Sequence, residues 1–235
     1  MTAVAQYGSL LETNSSVLKS VADDEECLQA MTTSHNRIAD LQAICDTIGH
    51  RLEADLLRNA IEEYQFAIYA ISIGNYRHGH GSLRLFLELS LSCIYFSAHE
   101  IKLRNWLRSR QDIVWSAIID KENGIFSVNF IRAFCDELAD GNKTYLTLAE
   151  KVYRECSEYV HGNAHTFSTP QKVTFNRDVF LEWNSKAESI WLCFLFAFLV
   201  RYSDALDETA RTNIEQIMME NLGTLKFVRA MYGAQ

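Results

Sequence analysis

Apolar residues recur along most of this chain at intervals of three and four, the spacing of helices with one buried face. Ile38, Leu41, Ile44 and Ile48 form one such stripe, and a second runs over about 52–73. The stretch Gly74-Asn75-Tyr76-Arg77-His78-Gly79-His80-Gly81 is the richest in glycine and reads as a loop. Over 82–108 the pattern loses its polar face, which predicts a central, buried helix. A helix over about 112–119 then leads to the turn Lys121-Glu122-Asn123-Gly124. Ser127 is placed to cap a helix running to Ala139 and closed by Gly141. The next helix spans 144–161 and stops at Gly162, and further helices are expected over 178–202 and 208–222. Between them, 163–176 holds the only proline, Pro170, and reads as a long connection of the kind that is often functional. At the front, residues up to about Lys19 are polar and read as a loosely held arm. An acidic helix over about 22–31 follows, with Asp23, Asp24, Glu25 and Glu26 near its N-terminal end, where the helix dipole favours them.

Composition narrows the fold class. One proline and ten glycines among 235 residues cannot supply the turn every ~8–12 residues that a β-sandwich or barrel requires. The expectation is an all-α, multi-helix bundle built around 82–108, 144–161 and 178–202. Residues 1–50 would form an N-terminal helical arm or appendage, 51–222 the bundle, and 223–235 a C-terminal tail. A net charge of −8 argues against a protein that coats nucleic acid without specificity, yet leaves room for a local basic site. Cys27, Cys45, Cys93, Cys135, Cys156 and Cys193 are scattered without a CxxC pair, as expected of reduced core thiols in a reducing compartment. The first residues lack the basic start and apolar run of a signal peptide. The longest apolar run, 190–200, is about half of the ~20 residues that span a bilayer. A cytoplasmic protein without a membrane partner is therefore expected.

The most informative segment is Glu150-Lys151-Val152-Tyr153-Arg154-Glu155-Cys156-Ser157-Glu158-Tyr159-Val160-His161-Gly162. On a helix, Ala149, Val152, Cys156, Tyr159 and Val160 would face inward, while Glu150, Arg154, Ser157 and His161 share another face. Arg154 and His161 are nearly two turns apart, or about 10 Å of rise. A guanidinium can hold a phosphate through paired hydrogen bonds and stabilise the charge that builds up in its transition state. An imidazole can exchange a proton near neutral pH. With RNA the nucleophile is the substrate's own 2′-hydroxyl, so this chemistry calls for no metal and no cofactor. The alternative is structural: Arg154 paired with Glu150 or Glu158, and His161 capping the helix C-terminus.

The run from Tyr153 to Gly162 resembles the signature of the HEPN superfamily: an arginine, four to six intervening residues, and a histidine late in one helix. The Ser157-x-x-Val160-His161-Gly162 ending is similar to that of HEPN-like proteins of bacterial defence and toxin systems. The resemblance covers about 50–205. It implies a helical, usually dimeric, metal-independent endoribonuclease or toxin effector in antiphage or stress defence. Arg154 and His161 would be catalytic, and a homodimer, an RNA substrate and a defence-complex or antitoxin partner are expected. Glu155 stands where active ribonucleases of the family carry a small polar residue. Together with the net negative charge, it supports the alternative of a non-catalytic HEPN-like interaction or regulatory subunit of a defence complex.

Other residues support or compete with this reading. Arg84 and Glu88 lie one turn apart in a nearly apolar segment and should pair, either as an internal salt bridge or as a support that orients Arg154 or His161, along with Ser157 and Glu155. An Arg-x-x-x-Glu pair on the long helix before the Arg/His motif is similar to what HEPN-like proteins carry. Arg104 and Arg108 flank Trp106 in the chain's basic cluster, either contacting RNA, with Trp106 as a stacking surface, or forming a solvated helix end over a core tryptophan. His78 and His80, with Arg77, read as a solvated loop or as a metal or phosphate site, and His161 and His165 are parted by Gly162. No phosphate-binding glycine loop or hydrolase elbow occurs in the sequence.

Overall fold

A computed structural model of the chain describes residues 2–164, 166 and 173–233. Among these residues it is α-helical without a strand. The helices are α1 (Ala3–Asp23), α2 (Glu25–Thr47), α3 (Ala54–Ser72), α4 (Tyr76–Ser97), α5 (Glu100–Leu107), α6 (Trp115–Ile118), α7 (Val128–Phe134), α8 (Asn142–His161), α9 (Arg177–Tyr202), α10 (Glu208–Leu222) and α11 (Lys226–Met231). No helix among the described residues is long and apolar enough to cross a membrane.

The core is a bundle in which α4 lies between α3, α8 and α9. Its direction can be read from side-chain bonds. Trp183 Nε1 donates to Gly79 O at 2.9 Å and Arg201 Nη2 to Ser97 O at 3.2 Å, so α4 and α9 run parallel. Arg84 meets Tyr153 while Gly81 meets Val160, so α8 runs antiparallel to α4. One end of the bundle therefore gathers the start of α4, the end of α8 and the start of α9. The other gathers Ser97, Tyr202 and the entry to α3.

The apolar run predicted to be buried is the spine of α9: Ile190, Trp191 and every residue from Cys193 to Val200 are buried. Each fully buried Leu, Val or Phe there is worth about 1.5–3 kcal/mol relative to exposure. α2 also joins this core, through Cys27, Leu41, Ile44 and Cys45, and is tied to α9 by Ser34 Oγ donating to Asn184 Oδ1 at 2.7 Å. All six cysteines are free and buried. In α11, which lies within 223–235, Val228 is buried.

Several elements differ from expectation. The polar front of the chain is the helix α1, capped by Thr2 and docked through Val17 and Val21, rather than a loose arm. Asp24 caps α2, which continues to Thr47 because nothing between Glu25 and Ile48 interrupts its buried face. The expected glycine-rich loop shrinks to a turn at Gly74 and Asn75, and Arg77 through Gly81 are helical. Gly74 has φ +78°, and a Cβ there would lie 2.7 Å from Thr174 O, so the turn needs glycine to press against the chain entering α9. Tyr76 fastens the same junction. Its hydroxyl accepts from Asn176 N at 2.6 Å and donates to Asn176 O at 3.2 Å.

The expected helix over 82–108 breaks after Ser97, where α5 turns away. Only Trp115–Ile118 of the expected 112–119 is helical. Ser127 does cap α7, accepting from Phe130 N at 3.1 Å, but that helix ends at Phe134 and a 3₁₀ segment, Asp136–Gly141, continues it. His165 and Pro170 lie outside the described residues.

Candidate functional site

α8 is built to show one face and bury the other. Ala149, Val152, Cys156 and Tyr159 are buried, whereas Lys151, Arg154 and His161 are exposed. The helix ends because Gly162 turns left-handed, with φ +66°, and sends its N–H to Glu158 O. His161 is therefore the last helical residue, about 10 Å of rise beyond Arg154 on the same side. Arg154 makes no ion pair among the described residues, Glu150 included. A second arginine, which the sequence set beside His78 and His80 in the glycine-rich stretch, stands at this end. Arg77, in the first turn of α4, places Nη1 3.6 Å from where a Cβ on Gly162 would lie.

Ser157 and Val160 are placed otherwise than expected. Ser157 is buried and its hydroxyl donates to Tyr153 O at 2.6 Å, so it does not share the open face of Arg154 and His161. It sits one turn beyond Tyr153, on the side α4 covers. Val160, expected inside, is exposed beside Gly81. Glu155 lies 3.9 Å from Lys151 Nζ, so its charge is partly countered within its own helix.

Arg84 and Glu88 pair at 3.0 Å with both side chains mostly covered. Arg84 Nη2 also donates to Tyr153 OH at 2.7 Å, and its guanidinium lies over the Tyr153 ring. Burial, then the Glu88 charge, raise the Tyr153 hydroxyl pKa against the opposing pull of Arg84. The pair thus anchors the residue immediately before Arg154 and fixes α8 against α4. Trp115, on α6, stacks on the same tyrosine with centroids 4.1 Å apart and planes 8° from parallel.

Beneath the His161 end lies a polar cluster that sequence reasoning missed. His80, expected in a solvated loop, is fully buried with its ring stacked on Tyr159 at 3.7 Å. Its Nδ1 is 2.9 Å from Tyr76 O. A carbonyl can only accept, so Nδ1 carries the proton and Nε2 turns its lone pair towards Lys186 Nζ, 3.5 Å away. Lys186 is buried too, ion-paired to Glu182. Burial, then the Lys186 charge, push the His80 pKa down to about 3, so this ring is neutral at neutral pH. Burial also pushes the Cys156 thiol up to about 12, which leaves it protonated and unreactive. His78 stays exposed and bonds Asn75, so the two histidines do not converge on one ligand.

The basic cluster at α5 is not brought to this site. Trp106 packs on Phe96, Arg104 pairs with Glu100, and Arg108 is exposed at the helix end. Phe96 lies roughly 18 Å of helix rise along α4 from Arg84, the level at which Tyr153 and Arg154 are held. Among the described residues no three His, Cys, Asp or Glu side chains are grouped as a metal site would need.

The site that emerges is an exposed arginine and histidine on one helix, a second arginine at its end, and a pinned aromatic pair beside it. No family model, curated protein or solved structure matches this chain.

Proposed function

We propose that this protein is a HEPN-like, metal-independent endoribonuclease in which Arg154 and His161 do the chemistry. The observation that carries the reading is that both side chains are exposed on one face of α8, and neither is held in an ion pair among the described residues. In the reaction the 2′-oxygen of the substrate attacks the neighbouring phosphorus and its proton passes to an imidazole. Arg154 neutralises the extra charge on the phosphoryl oxygens, and the 5′-oxygen leaves with a proton. The products are a 2′,3′-cyclic phosphate and a 5′-hydroxyl. Arg77 adds positive charge at the His161 end. A toxin or defence effector is the cellular role we attach to this reading, on the resemblance alone.

One histidine cannot stand on both sides of the phosphorus, where the base and the acid of an in-line displacement are needed. Two copies of α8 related by a two-fold axis supply both, and two-fold dimers are the commonest homo-oligomers. Exposed Val160, next to His161 at the end of α8 and flanking that face, offers an apolar contact. Sedimentation should show a dimer near 54 kDa, twice 26.9 kDa, and Val160→Asp should shift it to monomer and reduce cleavage together. A fully active monomer would refute the composite site.

The decisive experiment compares wild type with Arg154→Ala and His161→Ala on single-stranded RNA. Each variant should fold as wild type does and lose cleavage by at least ~100-fold, the scale of a lost general acid–base or charge-stabilising group. Wild-type cleavage should persist in EDTA and leave cyclic-phosphate ends. Full activity in either variant, or strict dependence on added metal, would overturn the assignment.

A further inference from the structure

Beside Arg154, an open groove of about 470 Å³ is lined by Trp115, Ile119, Thr147, Glu150, Lys151, Tyr153 and Arg154. From these residues, and resting on the ribonuclease reading above, we infer that the groove is a nucleobase subsite: Trp115 stacks an unpaired base of single-stranded RNA whose phosphate is held by Arg154. The volume is in the range of small-ligand pockets.

The floor of the groove is fixed before any ligand arrives. The Tyr153 ring is held by the Arg84 hydrogen bond, and Trp115 lies flat against it. Trp115 opens α6, whose exit is a tight turn. Ile125 N donates to Ile118 O at 2.9 Å, and Asp120 Oδ1 accepts from Glu122 N and Asn123 N at 3.0 and 2.8 Å. An indole anchored in this way loses little side-chain freedom on binding, which favours a stacking platform. One face of Trp115 is taken by Tyr153, and the half-buried ring also lines the groove.

The charges sort the ligand along the groove. Arg154 and Lys151 line the groove together with Glu150, which lies about one turn before Arg154 on α8, so a phosphate is attracted to Arg154 and disfavoured near the carboxylate. An uncharged base suits Trp115, and Thr147 and Glu150, which also line the groove, offer hydrogen-bonding groups to its edge. Bases held inside a duplex hide their faces, so the subsite selects single strands.

The test uses the full-length protein with two octanucleotides. A single-stranded DNA octamer lacks the 2′-hydroxyl, cannot be cleaved by this route, and reports binding by quenching of tryptophan fluorescence. The RNA octamer of the same sequence reports kcat and KM. Trp115→Leu should weaken octamer binding and raise KM by about 5- to 100-fold, with kcat within about threefold of wild type. Trp115→Phe should restore affinity to within about threefold while abolishing most of the quenching.

Cleavage that is indifferent to Trp115→Leu would overturn the inference and leave the ribonuclease reading standing. Trp115-dependent binding without His161-dependent cleavage would do the reverse. Should Trp115→Leu fail to fold, the fluorescence decides: quenching that survives in Trp115→Phe, or no binding by wild type, overturns the subsite.

Discussion

The two ends of the bundle bury charge in opposite ways. At the Tyr202 end, Glu53 is gripped by Arg51 Nε at 2.5 Å and by the Tyr202 hydroxyl at 2.9 Å. Burial pushes its pKa up, but the Arg51 bond, its own backbone N–H and Tyr202 together hold it below the ordinary carboxylate value. At the α8 end, buried Lys186 faces a histidine that is forced neutral, and its carboxylate partner Glu182 is half-exposed. The first cluster closes on itself and locks a helix junction. The second leaves a proton-accepting nitrogen beside a cation, directly below the helix end that carries His161. Completeness marks the first as scaffold, whereas protonating the histidine of the second would set two buried cations side by side, which makes this end sensitive to acid.

The largest expected effect tests that contrast. Glu53→Ala should cost about 3–5 kcal/mol in urea unfolding, because Arg51 and Tyr202 lose their shared acceptor inside the protein. Lys186→Met, which fills similar space without a charge, should cost under about 1 kcal/mol or stabilise. If the two costs are equal, the contrast fails.

The second effect is in pH dependence. Below about pH 6.5 the unfolded chain protonates this histidine whereas folded His80 stays neutral down to about pH 3, so the unfolded state binds more protons in that window. Stability therefore falls with pH, by about 2 kcal/mol between pH 6.5 and 5. His80→Gln should remove that slope. The Glu53 contribution, from a depressed carboxylate, is present above its ordinary value near 4.5 and is lost only as pH falls through the lower folded value. Unfolding curves at pH 7, 5 and 4 separate the two. A His80→Gln protein with the wild-type slope would remove His80 as the sensor.

Arg84→Ala should cost about 1–3 kcal/mol by leaving Glu88 and Tyr153 short of a donor. Replacing Arg84 with Met and Glu88 with Leu together should be milder. Reduced RNA affinity in either protein would show that the anchor under Tyr153 serves the groove as well as the fold. The smallest effect is at Gly162. Gly162→Ala should cost about 1 kcal/mol, since only glycine enters the left-handed region freely. It should lower cleavage if the placement of His161 depends on that cap.

Much of the fold was legible because helix punctuation is local. Gly162 stopped α8, Ser127 capped α7, and the apolar run 190–200 announced a buried helix, all from neighbouring residues. The failures were non-local. Gly79 and Gly81 signal a loop on their own, yet they let Ile71, Trp183 and Val160 close on a continuous helix. His80 looked solvated because Tyr159 and Lys186, which enclose it, lie far along the chain. The exposed positions Arg154 and His161 follow from helical spacing, but Ser157 was misjudged since periodicity cannot say how widely α4 covers α8. Trp115 drew no attention, for its meaning depends on a tyrosine brought to it by the fold.

The pairing of α2 with α9 also bears on how the chain is made. Ser34 bonds Asn184 across 150 positions, and the most apolar helix of the bundle is its last long one. During synthesis, α2, α3 and α4 leave the ribosome well before the helix that completes their core. Their apolar faces stay open for that interval, a state prone to aggregation. A nascent chain halted before residue 177 should therefore be a chaperone client, and release of α9 should be the step that ends this dependence.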